Sequence, residues 1–321
     1  WPALTDAGKA IPGIRFDWLA EKSFADIAAL HPLVDDVIPV QIRKWRKHIF
    51  KSFKSAEWKT FRKQIKAKQY DAILDVQGLL KSAVLARMAK GPRFGFDRKS
   101  AREPIASFLY QTKIAVPKNQ SMINRIRQIF AKALHYTFDE KYADAGVDRA
   151  QFHSKEINYI TFLHGTTWVT KHWPEAYWKT LATLLTDAGY KIKLPWSNMA
   201  EKERAERIAT IKPDAIEVLP KLSLSEVLAV VACSKAVVTL DTGLGHFSQA
   251  LNVPTLSLFG PTDPANYCID RPKQVALRES IQCDKRCARQ HCVLAEADVM
   301  GCFKALTAEK VFEILRQKIL L

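Results

Sequence analysis

Along the chain two spacings of apolar residues take turns, and each change of spacing marks a new element. Short strand-length runs rich in apolar and β-branched residues occupy 72–76, 159–163, 190–194, 216–219, 236–240 and 255–259. Less regular strand patterns cover 15–19 and 37–40. Apolar positions three and four apart predict helices over 2–9, 24–30, 79–89, 122–134, 174–188, 199–210, 224–232 and 247–251. A last amphipathic helix is predicted over 307–321, with Thr307 as its cap and a place packed back on the first domain.

Strand and helix alternate in two sets, separated by a polar stretch at 136–156 with little periodicity. Such alternation predicts parallel sheets covered by helices. The expected architecture is α/β: two Rossmann-like domains, 1–150 and 151–306, facing a central cleft in which strand C-termini hold the ligand. In an alternating unit the helix at 2–9 follows a strand, so a strand and its turn are expected upstream of Trp1.

At 321 residues the chain is longer than one core comfortably supports, which fits two domains. No run of 18 apolar residues and no signal-peptide pattern is present, so a cytoplasmic protein without a membrane-spanning helix is expected. The formal charge of +16 changes the picture most. It favours anionic partners, whether nucleic acid, acidic membrane or phosphorylated glycolipid, without choosing among them.

Candidate chemistry gathers at strand ends. The run 236–240 empties into Asp241-Thr242-Gly243-Leu244-Gly245-His246, and 255–259 into Gly260-Pro261-Thr262-Asp263-Pro264. A glycine-bearing turn at a helix start aims backbone N–H groups and a helix dipole at an anion. Two glycines, a carboxylate, a hydroxyl and an imidazole in six residues exceed what a connecting turn needs. After 159–163 comes His164-Gly165-Thr166-Thr167-Trp168-Val169-Thr170-Lys171-His172-Trp173-Pro174. Thr170 is the expected N-cap of the next helix, with Pro174 in its first turn. Hydroxyls and a lysine there suit a diphosphate, the lysine offsetting charge on a leaving group. Plain capping beside a solvated lysine fits the same residues.

In the first domain Arg43-Lys44-Trp45-Arg46-Lys47 follows the strand at 37–40, and further basic residues spread over 51–68. A charge run is commonly a solvated face, whereas one at a strand end would face the cleft. Four of the six cysteines bunch as Cys283, Cys287, Cys292 and Cys302, with His291 among them. Without a secretion signal these point to a structural zinc or iron site, or to reduced thiols, rather than to disulfides. His31 and His48 read as structural.

Asp-Thr-Gly-Leu-Gly-His at 241–246, with Phe-Gly-Pro-Thr-Asp-Pro at 259–264, resembles the nucleotide-sugar site of the lipopolysaccharide heptosyltransferases of glycosyltransferase family 9, most closely their heptosyltransferase I group. Residues 166–174 are similar to the family's Thr-Thr-x-x-x-Lys-His-Trp-Pro, and the likeness extends over nearly the whole chain. It implies a GT-B fold and inverting transfer of L-glycero-D-manno-heptose from ADP-heptose to Kdo on lipid A. It further implies that Thr166, Thr167 and Lys171 contact the donor diphosphate, Glu201 the ribose, and that Leu222 lines the nucleotide pocket. Asp241 would hold sugar hydroxyls, with Thr242, Gly243, Leu244 and His246 on phosphate and ribose. Lys171 and Asp241 carry the catalytic roles present in this sequence, the general base being an aspartate expected upstream of Trp1.

By the same resemblance Arg43, Lys44, Arg46 and Lys47 grip oxyanions of the Kdo–lipid A acceptor, helped by Arg102 and Arg125. No cofactor is implied for catalysis, and a metal on the cysteines would be structural. A peripheral place on the cytoplasmic face of the inner membrane is expected, with no nucleic-acid partner. Gly245 stands where the family usually has a small polar residue. A heptosyltransferase with another acceptor, such as phosphorylated Kdo or a core heptose, fits the same motifs. From a different class, a basic nucleic-acid binder would need aromatic platforms among the lysines, for which Trp45 is the candidate.

Overall fold

The computed structural model describes residues 1–47, 52–152, 158–266, 268, 271–279, 289–296 and 299–321. They form two units, Trp1–Val147 and Asp148–Leu321.

In the first unit β1 (Phe16–Glu21) pairs in parallel with β2 (Val34–Val40). A second parallel ladder runs β3 (Ile73–Asp75), β4 (Arg93–Phe96) and β5 (Thr112–Ile114). The predicted parallel sheet is therefore present, among the described residues, as two separate ladders. β4 and β5 escape prediction because Arg93, Gly95 and Lys113 break the apolar pattern, so pairing with a neighbour decides their state rather than propensity. α1 (Pro2–Ala10) and the long α6 (Met122–Leu134) close over a core that includes Leu4, Ala7, Phe96, Ile114, Ile129 and Phe130. Between these helices come the short α2 (Ala25–Ala28), α3 (Ile42–Lys47), α4 (Ala56–Ile65) and α5 (Leu80–Met88). α4 starts where Ser55 accepts a hydrogen bond from the Trp58 amide at 3.2 Å, an N-cap that ends the preceding turn.

The second unit is one six-stranded parallel sheet: β6 (Tyr159–Leu163), β7 (Lys191–Leu194), β8 (Ile216–Val218), β9 (Ala236–Leu240), β10 (Thr255–Phe259) and β11 (Gln274–Arg278). Their spatial order is β11-β10-β9-β6-β7-β8. The chain winds outward from β6 through β8, returns to pair β9 beside β6, and then winds the other way. Such a reversal leaves room for a ligand at the carboxyl ends of the two central strands. β6, β9 and β10 are buried along their whole length, as unbroken apolar runs require.

Helices α7 (Glu175–Asp187), α8 (Met199–Ala209), α9 (Leu224–Cys233) and α10 (Gly243–Ala250) connect the strands. The last helix, α11 (Ala308–Leu315), is capped by Thr307, whose hydroxyl accepts from the Lys310 amide at 3.4 Å. Expected against the first domain, it buries Val311, Leu315 and, just beyond it, Ile319 in the core of the second unit, alongside Trp178 and Leu181 of α7. Each such aliphatic side chain contributes about 1.5–3 kcal/mol on burial, which fixes this helix to its own sheet. Among the described residues no helix is long and apolar enough to cross a membrane.

Candidate active site

Asp241 follows β9 directly, and three other segments reach its carboxylate. Lys171, in the 3₁₀ turn Val169–Lys171 after β6, places Nζ 2.5 Å from Oδ2. Thr262, in the turn after β10, donates its hydroxyl to the same oxygen at 2.7 Å. His246, in the first turn of α10, brings Nε2 to 3.4 Å from Oδ1. The loops after three adjacent strands therefore meet on one acidic group. Burial pushes the Asp241 carboxyl up, but the hydrogen bonds from His246, Lys171 and Thr262 outweigh it and hold the group well below the usual carboxylate range. It is an anion at any working pH. Lys171 also stands 4.3 Å over the Trp168 ring, with the Arg289 guanidinium 4.6 Å from that ring, so the ring quadrupole supports two cations.

The glycine-rich turn is itself helical. The sequence predicts a helix from 247, yet α10 begins at Gly243, because the Thr242 hydroxyl caps it by accepting from the Gly245 amide at 3.3 Å. Gly243 and Gly245 are poor helix formers, which hides the start from propensity. Consequently the first-turn amides of Gly243 and Leu244, free of intrahelical acceptors, project from the sheet's carboxyl edge, beside Asp241. Gly245 is required by close approach: a Cβ there would lie 2.7 Å from Thr239 Oγ1.

Thr166 and Thr167 lie on the loop between β6 and Lys171, half-buried and exposed respectively. Thr170 is not the expected N-cap. It belongs to the 3₁₀ turn, and both its amide and its hydroxyl bond the Arg289 carbonyl, at 3.3 and 3.4 Å; α7 starts after Pro174 instead. Glu201, in the first turn of α8, accepts from the Ser197 amide at 2.6 Å and the Ser197 hydroxyl at 2.7 Å, while Asn198 caps the helix. Its carboxylate presses on the loop after β6: a Cβ on Gly165 would sit 2.6 Å from Glu201 Cδ. Leu222 is half-buried in the turn before α9.

Three contributors were passed over in the sequence. Thr262 stands in a quoted turn without an assigned role. Trp168 had no signal beyond its type. Arg204 sits in the strongly charged α8, whose pattern reads as a solvated face, yet its guanidinium reaches the His164 carbonyl and the His172 ring. Burial first, and the Arg204 charge second, lower the pKa of both His164 and His172 to about 4, so both rings are neutral.

On the first unit Arg43, Lys44 and Lys47 are exposed on α3, with Lys44 paired to Glu57 at 2.8 Å; the Arg46 side chain lies outside the described residues. Trp45 points inward, 5.0 Å edge-on to Trp58 and 5.2 Å from Phe61, so it is a core residue and offers no stacking platform. Arg102 is exposed beside the Gln77-Gly78 turn after β3, where Gly78 accepts from the Glu103 amide at 2.9 Å. Arg125, expected to meet a ligand, is buried on the inner face of α6; it donates to the Ser100 carbonyl at 2.6 Å and lies 4.8 Å over Phe96.

Of the cysteine group, Cys283 and Cys287 lie outside the described residues, while Cys292 and Cys302 are buried. Among the described residues no three His, Cys, Asp or Glu side chains stand close enough to hold a metal, so the expected structural metal is not supported. His31 is structural, as read: it is buried and shares a 3.0 Å hydrogen bond with the Thr5 hydroxyl. His48 lies outside the described residues.

Residues 58–297 match the family model of glycosyltransferase family 9 (heptosyltransferase). The chain is 49% identical to lipopolysaccharide heptosyltransferase 1 of Pseudomonas aeruginosa over 294 residues, which cover 91% of this chain and 82% of that one. With the Escherichia coli K12 protein of the same name it shares 46% identity over 267 residues, 82% of this chain and 83% of that one. The solved structure of E. coli heptosyltransferase WaaC with ADP matches at a TM-score of 0.87 and 41% identity, over 99% of this chain and 94% of that one. The motifs at three adjacent strand ends, the doubly wound second sheet and these likenesses lead to one conclusion: the chain belongs to glycosyltransferase family 9, the heptosyltransferases, with their GT-B fold.

Proposed function

We propose that the protein transfers L-glycero-D-manno-heptose from ADP-heptose to a Kdo residue of the lipopolysaccharide inner core, with inversion at the anomeric carbon. The names of its relatives support the reaction, and a solved relative bound to ADP-2-deoxy-2-fluoro heptose supports the donor. The observation that carries the reading is the meeting of Lys171, His246 and Thr262 on Asp241 at the point where the sheet reverses.

In this reading the donor diphosphate lies across the first turn of α10, with Thr166, Thr167 and the Gly243 and Leu244 amides as donors. Negative charge grows on the leaving phosphate as the anomeric bond breaks. Lys171 and the α10 N-terminus oppose that charge in a partly desolvated setting, where such groups act most strongly. Asp241 turns toward sugar hydroxyls, Thr242 and His246 toward phosphate and ribose, and Glu201 and Leu222 toward the nucleoside. A carboxylate base takes the proton of the acceptor hydroxyl. Arg43, Lys44, Arg46, Lys47 and Arg102 bind the acceptor's phosphate and carboxylate groups, with Arg125 supporting the Ser100 loop from beneath. The cationic surface supports peripheral seating on the cytoplasmic face of the inner membrane.

Turnover of the full chain with ADP-heptose, other ADP-sugars and GDP-sugars, against Kdo–lipid A, phosphorylated Kdo and heptosylated acceptors, tests this. Heptose transfer from ADP-heptose to unsubstituted Kdo is expected. Equal use of GDP-sugars, or transfer only to a heptosylated acceptor, would overturn it.

A further inference from the structure

One patch of the first unit reverses the usual arrangement of a surface helix. α5 packs on the 3₁₀ segment Pro104–Leu109 through Ala83, Ala106 and Tyr110, two of them as small as a side chain allows. Leu85 of α5 is buried with Val40 and Phe61, but four other large apolar side chains lie outward: Leu80 and Val84 of α5 are 40% and 47% exposed, and Ile105 and Phe108 of the 3₁₀ segment are 57% and 67% exposed. Leu80 and Val84 are one helical turn apart and share a face. Glu103 Oε2 accepts from the Leu80 amide at 2.7 Å and ties the two elements together. Apolar residues scattered singly over a surface are ordinary. Four on two joined elements form a docking face.

Charge decides the occupant. Residues 76–120 carry nine Lys and Arg against two acidic residues. Both carboxylates serve local caps, Glu103 on the Leu80 amide and Asp97 on the Ser100 amide at 2.8 Å. Exposed Lys81 and Arg87 stand three residues to either side of Val84 on α5. Lys113 Nζ stands 5.6 Å over the centre of the Phe108 ring, so an ammonium borders the apolar group. A second copy of the chain would set cation against cation across a shared face. An anionic bilayer meets both demands, with acyl chains for the four apolar groups and phosphates for the cations around them.

We infer that the outer face of α5 and Pro104–Leu109 is where this protein rests on an anionic lipid bilayer. The choice of a bilayer rests on the glycolipid-acceptor reading above, and Arg102, assigned there to the acceptor, precedes the patch by two residues.

The test is co-sedimentation of the full chain with phosphatidylglycerol-containing vesicles and with pure phosphatidylcholine vesicles, at low and high salt. It compares wild type with a Phe108→Ser, Ile105→Ser double variant. Wild type should bind the anionic vesicles and weaken with salt. The variant should bind about tenfold more weakly or worse, with its melting temperature and its turnover on a soluble, deacylated acceptor unchanged. Equal vesicle binding by both proteins overturns the inference, as does a wild-type dimer that the substitutions dissolve without any vesicle binding. If the variant loses vesicle binding while neither protein transfers heptose, the surface stands and the proposed reaction falls.

Discussion

Arg204 Nη1 lies 2.6 Å from His172 Nδ1 and 3.3 Å from the His164 carbonyl oxygen. One guanidinium thereby ties both ends of the loop that carries Thr166, Thr167 and Lys171. Because arginine only donates, His172 Nδ1 must offer a lone pair, in keeping with a ring held neutral. Replacing Arg204 with Met removes both bonds and lets the His172 pKa, lowered to about 4 by burial first and the Arg204 charge second, rise part of the way back. The expected result is a KM for ADP-heptose raised about tenfold or more, the scale of hydrogen bonds from a charged donor. In addition kcat/KM should fall with acid between about pH 6.5 and 4, where the wild type stays flatter. Parallel pH profiles would remove Arg204 from this positioning role.

His31, His164 and His172 share a pKa of about 4, with burial as the first cause in each. An unfolded chain takes up protons on all three as pH falls from about 6.5, whereas the folded chain refuses them until about 4. Stability is therefore complete above that window and declines through it, by up to about 1.4 kcal/mol per pH unit for each ring. Urea titrations from neutral pH down to about 4.5 should show this slope, and His31→Gln should flatten it. An unchanged slope would locate the acid sensitivity elsewhere.

Lys171→Ala should lower kcat about 10²–10³-fold, the range seen when one preorganised charge stabiliser is lost. The fold should survive, since His246 and Thr262 still hold the Asp241 carboxylate. Steady-state kinetics beside a melting curve separate the two effects; full turnover by the variant would exclude the assigned role.

Gly245→Ser should destabilise the protein by about 1–3 kcal/mol, because the new Cβ meets Thr239. Thr239→Ala should be milder alone and should rescue the serine variant. A double-mutant cycle by chemical denaturation measures the coupling. Additive effects would mean that the two sites do not press on each other.

Trp45→Ala should cost about 3–5 kcal/mol through loss of its packing on Trp58 and Phe61. A side chain that instead served ligand stacking would leave stability alone and change affinity, so denaturation and ligand titration of the same variant decide between the two.

How far the sequence could be read depended on what each residue leans on. β9 and β10 match their predicted bounds because strands covered on both faces advertise themselves as apolar runs. β4, β5 and β11 carry Arg93, Lys113 and Gln274, and owe their state to partners distant in the chain. At the site, Lys171, Asp241 and His246 stood in recognisable motifs and do come together. Arg204 and Arg125 could not be found that way, since a buried arginine and a solvated one look alike until the surrounding carbonyls are placed. The start of α10 was hidden by Gly243 and Gly245, both poor helix formers, of which Gly245 is held in place by its close approach to Thr239.

The ammonium of Lys171 already has a counter-ion of its own in Asp241. An arriving anion must displace a tethered rival that never diffuses away. A small free phosphate, holding on by one group, competes poorly with such a rival. In the proposed reading a nucleotide sugar also takes purchase near Glu201 and withstands the exchange. The lock thus screens by length, admitting molecules that reach across several strand ends and turning away those that fill only the charge.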